Sequence, residues 1–278
     1  MKKKQTPLEK EWAKLEEQET AYLQKRMEKT DSKLNQLLAA KVPAKLQGTL
    51  DAAFYKAFQL VFEKGTAVIE KTYKKETLQQ DYQINEYASR VRGNRKSLKT
   101  FSKKASGAGN LNLLLSGVSG VGLGVLGIGI PDIVLFTGLM LKSIYEIALN
   151  FGFDYESVDE KRFILLLIQG ALAHGKELEK LDEEINVYIG LATRMQSMSR
   201  AVEELATVDS ALDTCIREAS ACLSKELLYM KFLQGIPIVG AVGGAYDAIY
   251  MKQIVKYAEL KYRRRFYEKQ RRQATFMV

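Results

Sequence analysis

Six glycines lie from Gly117 to Gly129, and three of them, Gly122, Gly124 and Gly127, spell Gly-x-Gly-x-x-Gly. That spacing cradles phosphates when a strand precedes it, a helix follows and an acid lies about 20 residues on. Here the surroundings are helical, no βαβ pattern occurs and no P-loop lysine follows, so no nucleotide or other cofactor is expected. Asp132 follows Pro131 directly, and the first turn of a helix favours a carboxylate there. Asp247 is the comparable acid in a second Gly-Ile-Pro segment, and the two form a candidate polar site if their helices pack together. Asp154, Glu156, Asp159 and Glu160 read as a solvated turn and helix start, without the spacing of an EF-hand. His174 is the one histidine. A His-rich metal site is thereby nearly excluded, and a capping or packing role beside Gly175 is expected. Cys215 and Cys222 are ~10 Å apart along a helix, too far for a disulfide, and fit buried thiols in a reducing compartment. No catalytic residue and no metal ligand is expected.

The elements that must position these residues are helical throughout. Only four prolines interrupt 278 residues, and alternation of polar and apolar residues is never sustained. Thr6-Pro7-Leu8-Glu9 offers an N-cap, a proline at the first helical position and a capping-box glutamate. A polar helix to about residue 40 follows. A second helix after Pro43 carries an apolar stripe of Leu46, Leu50, Ala53, Phe54, Ala57, Phe58, Val61, Phe62 and Val68. A more polar helix is expected over 75–92. Ser157 and Glu160 cap another, helices follow over 176–206 and 209–231, and Pro237 opens the last. The fold class is all-α: a multi-helix bundle with a glycine-rich apolar helical hairpin over 111–151.

Within that hairpin Gly117, Gly120, Gly124 and Gly127 fall in an arc of about 80° on a helix. Such a seam lets two backbones approach closely, and Gly240 and Gly244 are assigned to the matching seam in the second Gly-Ile-Pro segment. A helix loses ~1 kcal/mol per glycine in water, so close packing or a bilayer must compensate. The uncharged run 105–131 is long enough to span hydrocarbon, but eight glycines and three serines dilute it. Two readings follow: a hairpin dipping into a membrane, or the buried core of a soluble bundle.

The formal net charge is +9, unevenly placed. Residues 90–104 hold seven basic residues and no acid, and residues 252–272 hold nine basic and two acidic. Arg90, Arg92, Arg95, Lys96, Lys103, Lys104, Arg263, Arg264, Arg265, Arg271 and Arg272 are therefore candidate contacts to anionic lipid headgroups. Tyr246, Tyr250 and Tyr257 recur at helical spacing, as packing or as interfacial anchors. Nucleic acid is disfavoured because no nucleic-acid fold accompanies the basic tail. The basic N-terminus lacks an apolar stretch after it, so a signal peptide is not expected and the cytoplasm is the default compartment.

Three stretches, KVPAKLQGTLDAAFYKAFQLVFEKG, IPDIVLFTGLMLKSIYEIALNFGFD and FLQGIPIVGAVGGAYDAIYMKQIVKYAELKY, resemble the signature regions of the EcsC family over about residues 41–262. The second and third also look like membrane-associated helical domains fused to some bacterial GTPases. The family's namesake is encoded beside an ABC transporter in Gram-positive bacteria. The resemblance implies a bacterial, transporter- or membrane-linked accessory protein and brings no catalytic residues with it. It covers an EcsC-like domain at 41–262, with a polar helix at 1–40 before it and a basic tail at 263–278 after it. The expected function is a non-enzymatic helical protein, peripheral or shallowly inserted at the inner face of the cell membrane. Its expected partners are anionic lipids and an ABC transporter or another membrane protein. The alternative is a soluble enzyme or small-ligand binder whose apolar hairpin is wholly core.

Overall fold

The computed structural model describes residues 5–27, 44–65, 69–92, 94–108, 131–198, 205–233 and 245–276. Among them are nine α-helices and no strand: α1 Pro7–Met27, α2 Ala44–Leu60, α3 Lys75–Arg92, α4 Arg95–Ala108, α5 Pro131–Asn150, α6 Val158–Leu172, α7 Gly175–Met198, α8 Leu205–Leu233 and α9 Ala245–Phe276. A π-helical turn, Val61–Gly65, continues α2.

Local sequence sets the helix ends. The Thr6 N–H donates to Glu9 Oε2 at 2.7 Å and the Glu9 N–H donates to Thr6 Oγ1 at 3.2 Å, a reciprocal capping box. The Glu160 N–H donates to Ser157 Oγ at 3.2 Å and starts α6. α5 stops at Gly152, whose φ of +77° a side chain rarely adopts. There the Phe153 N–H reaches the Ala148 carbonyl and the Gly152 N–H the Leu149 carbonyl, both at 2.9 Å, which is a Schellman closure.

α5, α6 and α9 make the centre. α9 packs on α6, α5, α7, α1 and α4, while α8 lies against α2 and α6. α2, α3 and α4 cover α5, and α1 and α7 cover α9. The stripe on α2 is buried through Leu50, Ala53, Phe54, Ala57 and Phe58. Residues Ile133–Asn150 of α5 are long and apolar enough to cross a membrane, with mean hydropathy 1.4, but 72% of that stretch is buried against other helices.

The second half of α9 is core. Phe266 is fully buried and lies 4.6 Å from Phe101, 5.8 Å from Phe151 and 6.5 Å from Tyr82, measured between ring centres. Each such buried aromatic stabilises the fold by ~1.5–3 kcal/mol. No break falls at residue 263, where the sequence reading placed the start of a tail: α9 runs on to Phe276. The reason is the aromatic residues between the arginines. Tyr262, Phe266 and Tyr267 point inward on the same helix that carries the charges.

Candidate functional site

The glycine seam, Gly117, Gly120, Gly124, Gly127, Gly240 and Gly244, lies outside the described residues. Asp132 stands in the first turn of α5 and Asp247 in the first turn of α9. A close helix approach that the structure does describe uses another glycine. A Cβ at Gly170 of α6 would come within 2.8 Å of the Tyr257 ring of α9.

The basic residues of α9 meet acids from distant parts of the chain. Lys261 is 1% exposed, with its Nζ 2.8 Å from Asp182 Oδ1, 3.3 Å from Glu19 Oε1 and 3.0 Å from Asn186 Oδ1. Arg263 pairs with Glu259 and donates to Gln18 Oε1 at 2.8 Å. Arg264 grips Glu19 through two nitrogens and lies over the Trp12 ring. Arg265 is buried, with Nη1 2.7 and 2.8 Å from the two Glu160 oxygens, and it stacks on Phe153. Tyr262 donates to the same Glu160 carboxylate at 2.7 Å. Four cations, Lys261, Arg263, Arg264 and Arg265, thus meet four carboxylates, Glu19, Asp182, Glu160 and Glu259. Arg271 lies over Trp12, and Arg272 donates to the Gly190 carbonyl at 3.3 Å. Glu160, read from sequence as part of a solvated cluster, is buried because α9 brings Arg265 to it. Asp154 and Glu156 do stay at the surface, beside Lys75.

The other basic segment is placed differently. On α4, Leu98, Phe101 and Ala105 are buried. On one flank Lys104 reaches Asp81 of α3 at 2.7 Å. On the other, Arg95 reaches Glu11 of α1 at 2.5 Å and Ser106 donates to Glu259 of α9 at 2.7 Å. The outward sector holds Lys96, Lys99 and Lys103, all exposed, within about 60° of arc. On α3, Tyr82 is buried and Asp81 marks the α4 side. Its outward sector holds Ile84, Tyr87 and Val91, which are 66%, 72% and 68% exposed and again span about 60°. Arg90 joins this face, paired with Glu86 at 3.1 Å; Arg92 closes α3. α3 and α4 pack side by side over α5, so the apolar strip and the lysine strip belong to one outer surface.

Between α3, α4 and α5 this surface opens into a cleft of about 320 Å³. Glu146 and Asn150 of α5 form its buried wall, and Lys74, Thr77, Asp81 and Lys104 stand nearer solvent. Burial pushes the Glu146 carboxyl above its ordinary range, against the pull of Lys142 at 3.9 Å. Tyr73, also in the wall, donates to the Tyr155 hydroxyl, which donates to Glu70, each at 2.6 Å. Among the described residues no group of three or more His, Cys, Asp or Glu is placed to hold a metal.

The sequence profile described as the EcsC protein family matches residues 9–266. The chain belongs to that family. No curated protein and no solved structure matches it. The match takes in α1, which the sequence resemblance left outside, and reaches Phe266 in α9. The geometry explains that extent: α1 supplies Glu11, Trp12, Gln18 and Glu19 to the basic residues of α4 and α9.

Two features of this EcsC protein escaped sequence reasoning. The exposed strip on α3 was passed over because the helix is polar on average, although Ile84, Tyr87 and Val91 repeat at i, i+3 and i+7. Glu146 stands in the sequence as a lone acid within an apolar helix, and only the packing of α3 and α4 shows what it faces. His174 does lie at a helix junction, with Nε2 3.2 Å from an Arg26 nitrogen and Nδ1 4.0 Å from Glu226. The cysteines are free, and burial raises both thiols, Cys222 to about 11, so neither is a ready nucleophile.

Proposed function

We propose that this EcsC protein is a non-enzymatic accessory of a membrane transport or secretion system, docking on the anionic inner face of the cell membrane through α3 and α4. The observation that carries this reading is the exposed strip Ile84, Tyr87 and Val91 beside Lys96, Lys99 and Lys103. An amphipathic surface of this kind buries its apolar side chains at the headgroup boundary while its cations attract anionic lipid. Each lysine contributes about 1 kcal/mol near such a surface. Because α5 is packed as core, docking at the surface accounts for membrane association without unpacking the bundle.

Vesicle co-sedimentation tests this. Wild type is expected to bind vesicles containing phosphatidylglycerol and to bind pure phosphatidylcholine far more weakly. Replacing Ile84, Tyr87 and Val91 together by serine should weaken binding at every salt concentration. Wild type that binds neither vesicle would end the docking reading. The small-ligand alternative has support of its own in the cleft beside Glu146, and the two readings are compatible.

A further inference from the structure

We infer that the cleft between α3, α4 and α5 is a binding site for a primary-ammonium phosphate zwitterion, the chemistry of a phosphoethanolamine group. The inference deepens the docking reading and rests on it only for the lipid source of the ligand. Its volume of about 320 Å³ suits a small headgroup. The charges lining it are ordered by depth. Glu146, 7% exposed, is the inner one. Its one charged partner among the described residues is Lys142, whose Nζ is 3.9 Å away, beyond hydrogen-bond reach, and no side chain hydrogen-bonds its carboxylate. Its carboxylate opens onto the cleft, where an N–H cation placed against it adds a charge-assisted hydrogen bond. Toward the mouth stand Lys74 and Lys104, with Thr77 exposed beside them. Asp81 balances Lys104 at 2.7 Å, and Lys74, exposed at the rim, is the cation offered to an added anion.

Two lysines and two carboxylates make the lining neutral overall, negative within and positive at the rim. A ligand that complements it carries its ammonium inward and its phosphate outward. A quaternary ammonium has no N–H to give Glu146, so phosphocholine is the poorer match. The cleft is bounded by the same two helices that carry the proposed docking face, where a lipid headgroup would be presented.

Calorimetric titration of the full chain with O-phosphoethanolamine, phosphocholine and inorganic phosphate tests the site directly. O-Phosphoethanolamine is expected to bind at least about tenfold more tightly than either comparator, as loss of a charge-assisted hydrogen bond would require. Glu146→Gln should abolish that preference. Thr77→Trp, at an exposed position of the wall, should block binding without touching the carboxylate. Equal affinity for phosphocholine and O-phosphoethanolamine, or a preference that survives Glu146→Gln, would overturn the site.

Vesicles identify the source of the ligand. At a fixed phosphatidylglycerol fraction, exchanging phosphatidylcholine for phosphatidylethanolamine should tighten wild-type binding and leave Glu146→Gln unmoved. If the soluble headgroup binds but this exchange changes nothing, the site stands and its ligand is a free metabolite. If Lys96, Lys99 and Lys103 prove irrelevant to vesicle binding while O-phosphoethanolamine still binds, the docking reading falls and the site stands.

Discussion

Residues 90–104 and 252–272 look alike in sequence: dense in arginine and lysine, poor in acid, each next to a Gly-rich apolar stretch. The fold treats them in opposite ways. In α9 four of the cations, Lys261, Arg263, Arg264 and Arg265, are drawn inward and neutralised by Glu19, Asp182, Glu160 and Glu259. In α4 the acids reach only the flanks, at Arg95 and Lys104, and Lys96, Lys99 and Lys103 remain outward. A run of basic residues therefore says little about surface charge until the distant acids are placed. The aromatic residues decide which run is drawn in. Tyr262, Phe266 and Tyr267 carry α9 into the core, and α4 has Phe101 alone among its ring residues.

The largest effect expected from breaking this contrast is in α9. Arg265→Ala leaves Glu160 charged and buried, and should cost ~3–5 kcal/mol, read as a lowered denaturation midpoint. Replacing both partners, Arg265→Met with Glu160→Leu, should recover much of that loss. If Arg265→Ala unfolds at the wild-type midpoint, the two basic segments do not differ in the way described.

The matching experiment on α4 should leave the fold alone. Changing Lys96, Lys99 and Lys103 together to glutamine should move stability by no more than about 0.5 kcal/mol. Binding to anionic vesicles should fall by ~3 kcal/mol at low salt, with a flatter salt dependence. Unchanged vesicle binding would remove the functional half of the comparison.

How firmly the α3–α4 layer is seated can be tested at Gly152. A Cβ there would come within 2.2 Å of the Tyr82 ring of α3, and φ is already positive. Gly152→Ala should destabilise by ~1–3 kcal/mol. A silent substitution would mean that α3 yields easily and is a looser platform than its packing implies.

The smallest effect concerns pH. Burial raises the Glu146 carboxyl in the folded state. Below the unfolded carboxyl range both states are protonated and the group costs nothing. As pH rises past the unfolded value the native state holds the extra proton, so stability falls until the folded value is passed. Glu146→Gln should therefore gain stability over wild type as pH rises from 4 to 7, and the gap should close at the acid end. Parallel melting curves across that range would contradict the burial assigned to this carboxyl.

Much of the helical framework is legible in the residues alone. α3 occupies 75–92 as its pattern predicts, the Thr6–Glu9 and Ser157–Glu160 boxes form, and the apolar stripe of α2 is buried. These features rest on contacts three or four residues apart, which a sequence displays directly. The exposed strip on α3 was legible too, since Ile84, Tyr87 and Val91 keep the same spacing, but only as a second stripe on a helix already judged polar.

What only the tertiary structure decided is the fate of each charge. Arg264 meets Glu19 across 245 positions and Arg265 meets Glu160 across 105. Helical periodicity states which face a side chain occupies, not which helix lies against that face. A charge leaves water only where a partner offsets its lost hydration, and that partner arrives by packing. So the sequence alone determined an all-helical chain with two basic segments and an apolar centre, and packing decided that α5 is buried. The docking of α1 and α6 against α9, and of α3 and α4 over α5, determined which segment stabilises the fold and which one faces outward.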